Sequence, residues 1–95
     1  MIKLIIAGGR TFDNYQKLCR VCDEFLQDQN NVEIVSGAYK GADLLGEKYA
    51  AERNYPIKQF PADWRRYGKS AGLKRNSEMA NYADALIAFW DGKSK

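Results

Sequence analysis

Residues 32–43 of the chain read Val-Glu-Ile-Val-Ser-Gly-Ala-Tyr-Lys-Gly-Ala-Asp. The run 32–35 is typical of a short buried strand, and a helical pattern begins at about Ala42. The turn between them, residues 36–41, contains glycine and leads directly into a helix start, where backbone N–H groups and the helix dipole favour negative charge. Because such turns hold anions, this stretch predicts a strand–turn–helix unit that binds a phosphate-like group.

A second glycine turn, Gly8-Gly9-Arg10, follows the run 2–7. That run is nearly all apolar, as expected for a central strand that is covered on both faces. Two strands that each end in a glycine turn indicate a pocket for a nucleotide or a phosphate. The pattern does not distinguish a protein that only binds its ligand from one that also cleaves it.

The rest of the chain continues the alternation of strands and helices. The other predicted elements are a helix after an N-cap at Asp13, a helix at 42–53, strands at 57–60 and 84–90, and a helix at 70–83, with residues 62–69 in a loop. This order predicts a Rossmann-like α/β fold with three layers, α/β/α, and a parallel sheet of about four strands in the order 3-2-1-4. Ligands of such sheets bind beyond the carboxyl ends of the strands, where the strand order reverses.

Composition narrows the class of protein. With 95 residues, 45% hydrophobic and 28% charged, the chain is expected to form one domain over residues 1–95. No apolar run approaches the roughly 18 residues of a membrane helix, and the start lacks a signal-peptide pattern, so we expect a cytoplasmic protein with no membrane partner. Cys19 and Cys22 lie within a helical pattern, and the chain has no histidine, so no metal site is expected.

Positive charge is concentrated in one segment. Five basic residues and no acidic one lie between Trp64 and Ser77. This excess either attracts an anionic ligand or forms a solvated helix face. Trp64 and Tyr67 likewise either stack on a base or pack at the rim of the core. A net charge of +3 is small for a protein that binds duplexes, so nucleic acid is not the expected partner.

Six motifs in order carry a family resemblance. They are Gly-Gly-Arg-Thr-Phe at 8–12, Ser-Gly-x-x-x-Gly-Ala-Asp at 36–43, Ala-Asp-Trp at 62–64, Gly-Lys-x-Ala-Gly at 68–72, Arg-Asn-x-x-Met at 75–79 and Trp-Asp-Gly-x-Ser-Lys at 90–95. The chain resembles the YspA-like branch of the SLOG superfamily, whose Rossmann-like domains are related to the DprA and LOG proteins. The resemblance covers essentially the whole chain. It implies a sensor module that binds a nucleotide or a nucleotide-derived, ADP-ribose-like ligand.

The same resemblance assigns candidate ligand-binding residues. They are Gly8, Gly9, Arg10, Ser36, Gly37, Gly41, Asp43, Arg75, Asn76, Asp91 and Gly92. Arg10 suits a phosphate or carboxylate because a guanidinium binds such groups with two hydrogen bonds. Asp43 either holds a ribose hydroxyl or caps a helix. Arg75 matches an arginine that is catalytic in LOG proteins, and it is the one catalytic candidate.

Two other functions remain open. LOG relatives are phosphoribohydrolases that release a base from its ribose phosphate, and DprA-like nucleic-acid binding is the second alternative. The family normally continues after Ser-Lys with a helix and a strand, so we expect this chain to lack the segment that carries a glutamate catalytic in LOG proteins. No close pair of acid–base residues stands out either, which favours binding over catalysis. The open edges of a four-stranded sheet also suggest a homodimer.

Overall fold

The computed structural model describes residues 1–90, which alternate strands and helices. The elements are β1 (Ile2–Gly8), α1 (Tyr15–Leu26), β2 (Val32–Ser36), α2 (Ala42–Glu52), β3 (Ile57–Gln59), α3 (Trp64–Tyr67), α4 (Ala71–Tyr82) and β4 (Ala85–Phe89), with a single 3₁₀ turn, Gly68–Ser70, between α3 and α4. Within this range no helix combines the length and the apolar character needed to cross a lipid bilayer.

The four strands form one sheet in the order β3-β2-β1-β4, and all three pairings are parallel. In the centre of the sheet Leu4 lies opposite Ile34 on β2 and opposite Ala85 on β4. The predicted Rossmann-like fold and its order 3-2-1-4 are therefore confirmed. In this order the chain leaves β1 towards β2 and returns on its other side as β4, so the strand order reverses at the carboxyl end of β1.

Alternate residues of β1 face the two sides of the sheet. Leu4 and Ile6 belong to the larger core, which α1 and α2 complete with Leu18, Cys22 and Tyr49 among others. Tyr49 is fully buried, and its hydroxyl donates a hydrogen bond to Asp23 Oδ1 at 2.7 Å. Since that donation satisfies the only polar atom of its side chain, α2 can place a tyrosine in the core without an unpaired polar group.

The opposite face has a much smaller core. Ile5, Val35 and Met79 are its buried residues, and α4 is the helix that packs there. Among residues 1–90 this one helix does not cover the whole face, since Leu86, on β4, keeps 59% of its surface exposed. The layers are thus α/β/α as predicted, but α4 does not cover the part of the sheet face at β4.

Local sequence decides where the helices begin. The N-cap of α1 is Asn14, whose Oδ1 accepts from the N–H of Lys17 at 3.1 Å, so the predicted cap at Asp13 is wrong by one residue. Asp63 caps α3 in the same way through Arg66 N–H. The segment 62–69, expected to be a loop, therefore contains a short helical turn. Pairing of two chains along the free edge of β4 stays a prediction.

Candidate functional site

The two glycine turns meet at the carboxyl ends of the strands. Gly41 precedes α2 with a φ of +73°, and a Cβ built on it would lie 2.3 Å from Gly9 O and 2.6 Å from Arg10 Cα. The first N–H of α2, that of Ala42, donates to Gly9 O at 3.2 Å. Only a glycine lets the start of α2 approach the first turn this closely, because glycine has no Cβ and adopts positive φ readily.

Several backbone amides at these turns donate hydrogen bonds within the protein. The N–H of Gly9 donates to Phe89 O at 2.9 Å, and that of Phe12 donates to Gly9 O at 3.2 Å. Together with Ala42 N–H, these donors serve to hold β1, β4 and α2 in register. These turn amides therefore stabilise the fold, which the sequence pattern did not predict. An anion bound nearby needs other hydrogen-bond donors as well.

A cavity of about 400 Å³ opens beside the turns, on the face of the sheet that α4 packs against. Five residues predicted as ligand-binding line this strand-end cavity: Gly8, Gly37, Asp43, Arg75 and Asn76. They come from β1, from the turn after β2, from α2 and from α4, and the parallel sheet brings them to one edge. Asp91 and Gly92 lie outside the described residues.

The polar end of the strand-end cavity is built around Gly37. Arg75 Nη1 donates to Gly37 O at 2.5 Å, and Arg75 Nε donates to Asn76 Oδ1 at 2.9 Å. A Cβ on Gly37 would lie 2.7 Å from both Arg75 Nη1 and Asp43 Oδ2. The absence of a side chain at Gly37 therefore lets a guanidinium and a carboxylate share one small space.

Asp43 is the buried carboxyl group of this cavity, with only 7% of its surface exposed. Its Oδ2 accepts from the N–H of Tyr39 at 3.2 Å. Burial raises the pKa of the Asp43 carboxyl, and Glu47 adds to this, while the Tyr39 hydrogen bond and the charge of Arg75 act in the opposite direction. A carboxyl held in this way can accept hydrogen bonds from ligand hydroxyl or N–H groups.

This raised pKa has a measurable consequence for stability. A carboxyl whose pKa is higher in the folded than in the unfolded state, where it is about 3.9, costs stability as pH rises through the folded value. Asp43→Asn removes that titration, so the free energy of unfolding of the variant relative to wild type should increase between pH 4 and 7. Urea denaturation of both proteins across this range measures the difference. A difference that does not change with pH, or one that decreases, would contradict the assignment.

The apolar end of the cavity lies on the bare part of the sheet. Its lining includes Ile5, Ala7, Met79, Leu86, Ala88 and Trp90. Two of the pairings between β1 and β4, Ile5 with Leu86 and Ala7 with Ala88, form its floor. Trp90 and Leu86 remain 55% and 59% exposed. No sequence signal marked this surface, because the apolar run 85–89 does not show which of its two faces a helix covers.

Ser36 does not line the cavity. It is buried, its Oγ donates to Glu47 Oε2 at 2.6 Å, and the same Oγ accepts from Ala38 N–H at 3.0 Å. Glu47 also accepts from Gln59 Nε2 at 3.1 Å, which links α2 to β3. The observed contacts of Ser36 thus hold the turn and α2 together. No motif or spacing in the sequence singled out Glu47 as this partner.

The remaining candidates lie around the cavity rather than in its lining. Gly9 is buried where the first turn contacts Gly41, and Arg10 is exposed next to Gly41. Trp64 is exposed on α3, where a Cβ on Gly72 would meet its ring at 3.6 Å. Ligand contacts of Gly9, Arg10, Ser36 and Gly41 stay predictions. Both interpretations of Trp64 also stay predictions.

The sequence matches one known protein family over most of its length. Residues 2–67 match the model of the YspA, cpYpsA-related SLOG family. The chain is also similar to the Gene 61 protein of Mycobacterium phage D29, with 32% identity over 101 aligned residues that cover 99% of this chain and 81% of that protein. No solved structure matched the chain. The match spans both glycine turns, α2 and most of the parallel sheet, and it places the chain in the YspA, cpYpsA-related SLOG family.

Proposed function

We propose that the protein binds a nucleotide or a nucleotide-derived ligand in the strand-end cavity. The observation that carries this proposal is the division of the cavity into an apolar floor and a polar end. At about 400 Å³ the cavity falls within the range of roughly 300–1,000 Å³ that is usual for small-molecule sites. Membership of the SLOG family supports a ligand of this class.

The base occupies the apolar end in this proposal. Ala88 and Leu86 offer a flat strand surface, and Met79 from α4 forms one wall. A nucleobase is a flat ring with a large apolar face, so it gains by covering carbon atoms that are now exposed. The exposed indole of Trp90, at the end of β4, lies where it can stack on such a ring.

The ribose and phosphate occupy the polar end. Asp43 accepts from ribose hydroxyls, which are donors that a carboxylate suits. Arg75 supplies the positive charge for the phosphate, and its position is already fixed by the bonds to Gly37 and Asn76. The N–H of Ala42, the first amide of α2, already donates to Gly9 O, so Arg75 adds positive charge for the phosphate that this amide does not supply.

Two exposed leucines give a matched test of the apolar end. Leu86 lines the cavity and is 59% exposed, whereas Leu73, on α4, is 74% exposed and is not part of the lining. We expect adenosine 5′-monophosphate at ten times its Kd to stabilise wild type by about 1.4 kcal/mol. In a domain of this size, each kcal/mol of added stability raises the Tm by about 4–8 °C. Leu86→Gln should lose most of this shift and Leu73→Gln should keep it, as measured by thermal unfolding with and without ligand.

The outcome separates the site from the fold. Both leucines are exposed, so neither substitution removes a buried contact and both variants are expected to fold. Equal shifts in the two variants would contradict base binding at Leu86. No shift in wild type with any purine or pyrimidine nucleotide, mono- or diphosphate, would overturn the proposed function.

A further inference from the structure

The basic segment 65–75 forms a second concave surface next to the strand-end cavity. It folds into α3, the 3₁₀ turn and the first residues of α4. Between α3 and α4 lies a cleft of about 250 Å³, here called the α3–α4 cleft, whose lining includes Asp63, Arg66, Tyr67, Lys74, Arg75 and Glu78. The proposed function above does not use this cleft.

The ring of Tyr67 holds two of these cations in place. Arg66 Cζ lies 5.2 Å from the ring centroid, and Lys74 Nζ lies 5.0 Å from it. Both distances fall within the roughly 6 Å of a cation–π contact. One aromatic side chain thus keeps an arginine from α3 and a lysine from α4 at the same cleft, which limits the conformational entropy that they would lose on binding an anion.

Two carboxylates also face the cleft. Asp63 is occupied as the cap of α3, where its Oδ1 accepts from the N–H of Arg66 at 3.1 Å. Glu78 lies one turn beyond Lys74 on the same helix, which is the spacing of an i, i+4 pair. Three cations against two carboxylates leave the lining positive, and Arg65 and Lys69 in the same segment add to the local field.

Arg75 belongs to both concave surfaces. It lines the strand-end cavity and the α3–α4 cleft, so the two are neighbours that share this residue. At about 250 Å³ the cleft is smaller than the roughly 300 Å³ at which small-molecule sites usually begin. It is therefore better suited to one group of a larger ligand. Two of the five N–H donors of Arg75 are used by Gly37 and Asn76, and the others remain for an anion.

We propose that the ligand of the strand-end cavity extends past Arg75 into the α3–α4 cleft and carries a second phosphate there, as a nucleoside diphosphate does. This inference rests on the proposed function, because it places the base in the strand-end cavity. Arg75 then binds the first phosphate, and Lys74 and Arg66 bind the second. A single phosphate would reach Arg75 and leave the cleft empty.

The test compares adenosine 5′-diphosphate with adenosine 5′-monophosphate by isothermal titration calorimetry at low salt. One additional charge-assisted contact corresponds to about tenfold in affinity, so wild type should bind the diphosphate about tenfold more tightly than the monophosphate. Lys74→Gln should reduce this ratio to near one and leave the Kd of the monophosphate within about twofold of wild type. Lys69→Gln is the matched control, because Lys69 lies in the same segment and is not part of the cleft lining. That variant should keep the tenfold ratio.

Each other result counts against the inference in a distinct way. Equal affinity of wild type for the two nucleotides would overturn the second phosphate site and leave the proposed function standing. If Lys74→Gln and Lys69→Gln reduce the affinity ratio equally, the effect is one of general charge and not of a contact in the cleft. That result also overturns the second phosphate site. If neither of these nucleotides binds, and no other purine or pyrimidine nucleotide does either, the proposed function and this inference fail together.

Discussion

Replacing Gly8 by alanine should prevent the protein from folding. A Cβ at this position would lie 1.9 Å from Phe89 O and 2.7 Å from Phe89 N, and the φ of Gly8 is +147°. Gly8 lies opposite Phe89 in the pairing of β1 with β4, so the clash is with backbone that cannot move without breaking the sheet. Domains of this size are stable by only about 5–15 kcal/mol, and loss of β4 exceeds what this one can tolerate. Far-ultraviolet circular dichroism of the purified variant should show no cooperative unfolding transition.

Gly72→Ala provides the control for this substitution. Gly72 is in α4, and a Cβ on it would meet its nearest atom, Trp64 Cη2, at an ordinary 3.6 Å. We expect this variant to fold and to gain up to about 1 kcal/mol from the higher helix propensity of alanine. A Gly8→Ala protein with near-native stability would show that β1 and β4 are not paired in the register described here.

The sheet could be predicted from the sequence because its signals are local. The run 2–7 is nearly all apolar, which marks a strand covered on both faces, and a helix pattern follows each of the first three strands. Once the strands are parallel, their carboxyl ends must share one edge. That constraint explains why Gly37 and Asp43, which follow β2, lie beside Gly8 at the end of β1, whereas Arg75 reaches the same cavity from α4.

The chemistry at that edge was harder to predict, because it depends on the direction of single side chains. Ser36 was expected at a phosphate, yet its hydroxyl turns towards Glu47, eleven residues later on the inner side of α2. Leu86 lies in the predicted strand 84–90, whose sequence does not show which face is covered, and it is exposed because α4 covers only part of the sheet. Arg66 and Lys74 converge on Tyr67 through the angle between α3 and α4, which no local pattern encodes.

Replacing Gly41 by alanine should disrupt the site as well as the fold. The φ of Gly41 is +73°, and a Cβ there would lie 2.3 Å from Gly9 O and 2.5 Å from Arg10 C. Relief requires the start of α2 to move away from the first turn, which breaks the bond between Ala42 N–H and Gly9 O. Asp43 follows Ala42 in α2, so it would leave its place beside Gly37. We expect a loss of about 3–5 kcal/mol in the free energy of unfolding, measured by urea denaturation.

Gly68→Ala separates backbone strain from contact between the turns. Gly68 also has a positive φ, +54°, but a Cβ on it has no atom within 4 Å. The substitution should therefore lower the free energy of unfolding only by the backbone strain, about 1–3 kcal/mol. If Gly41→Ala costs no more than Gly68→Ala, the packing of α2 against the first turn contributes little. If it costs more, and the folded fraction also fails to bind adenosine 5′-monophosphate, close approach of the two turns is what positions Asp43. A glycine in each turn is then needed because the two backbones must touch, whether or not either glycine touches the ligand.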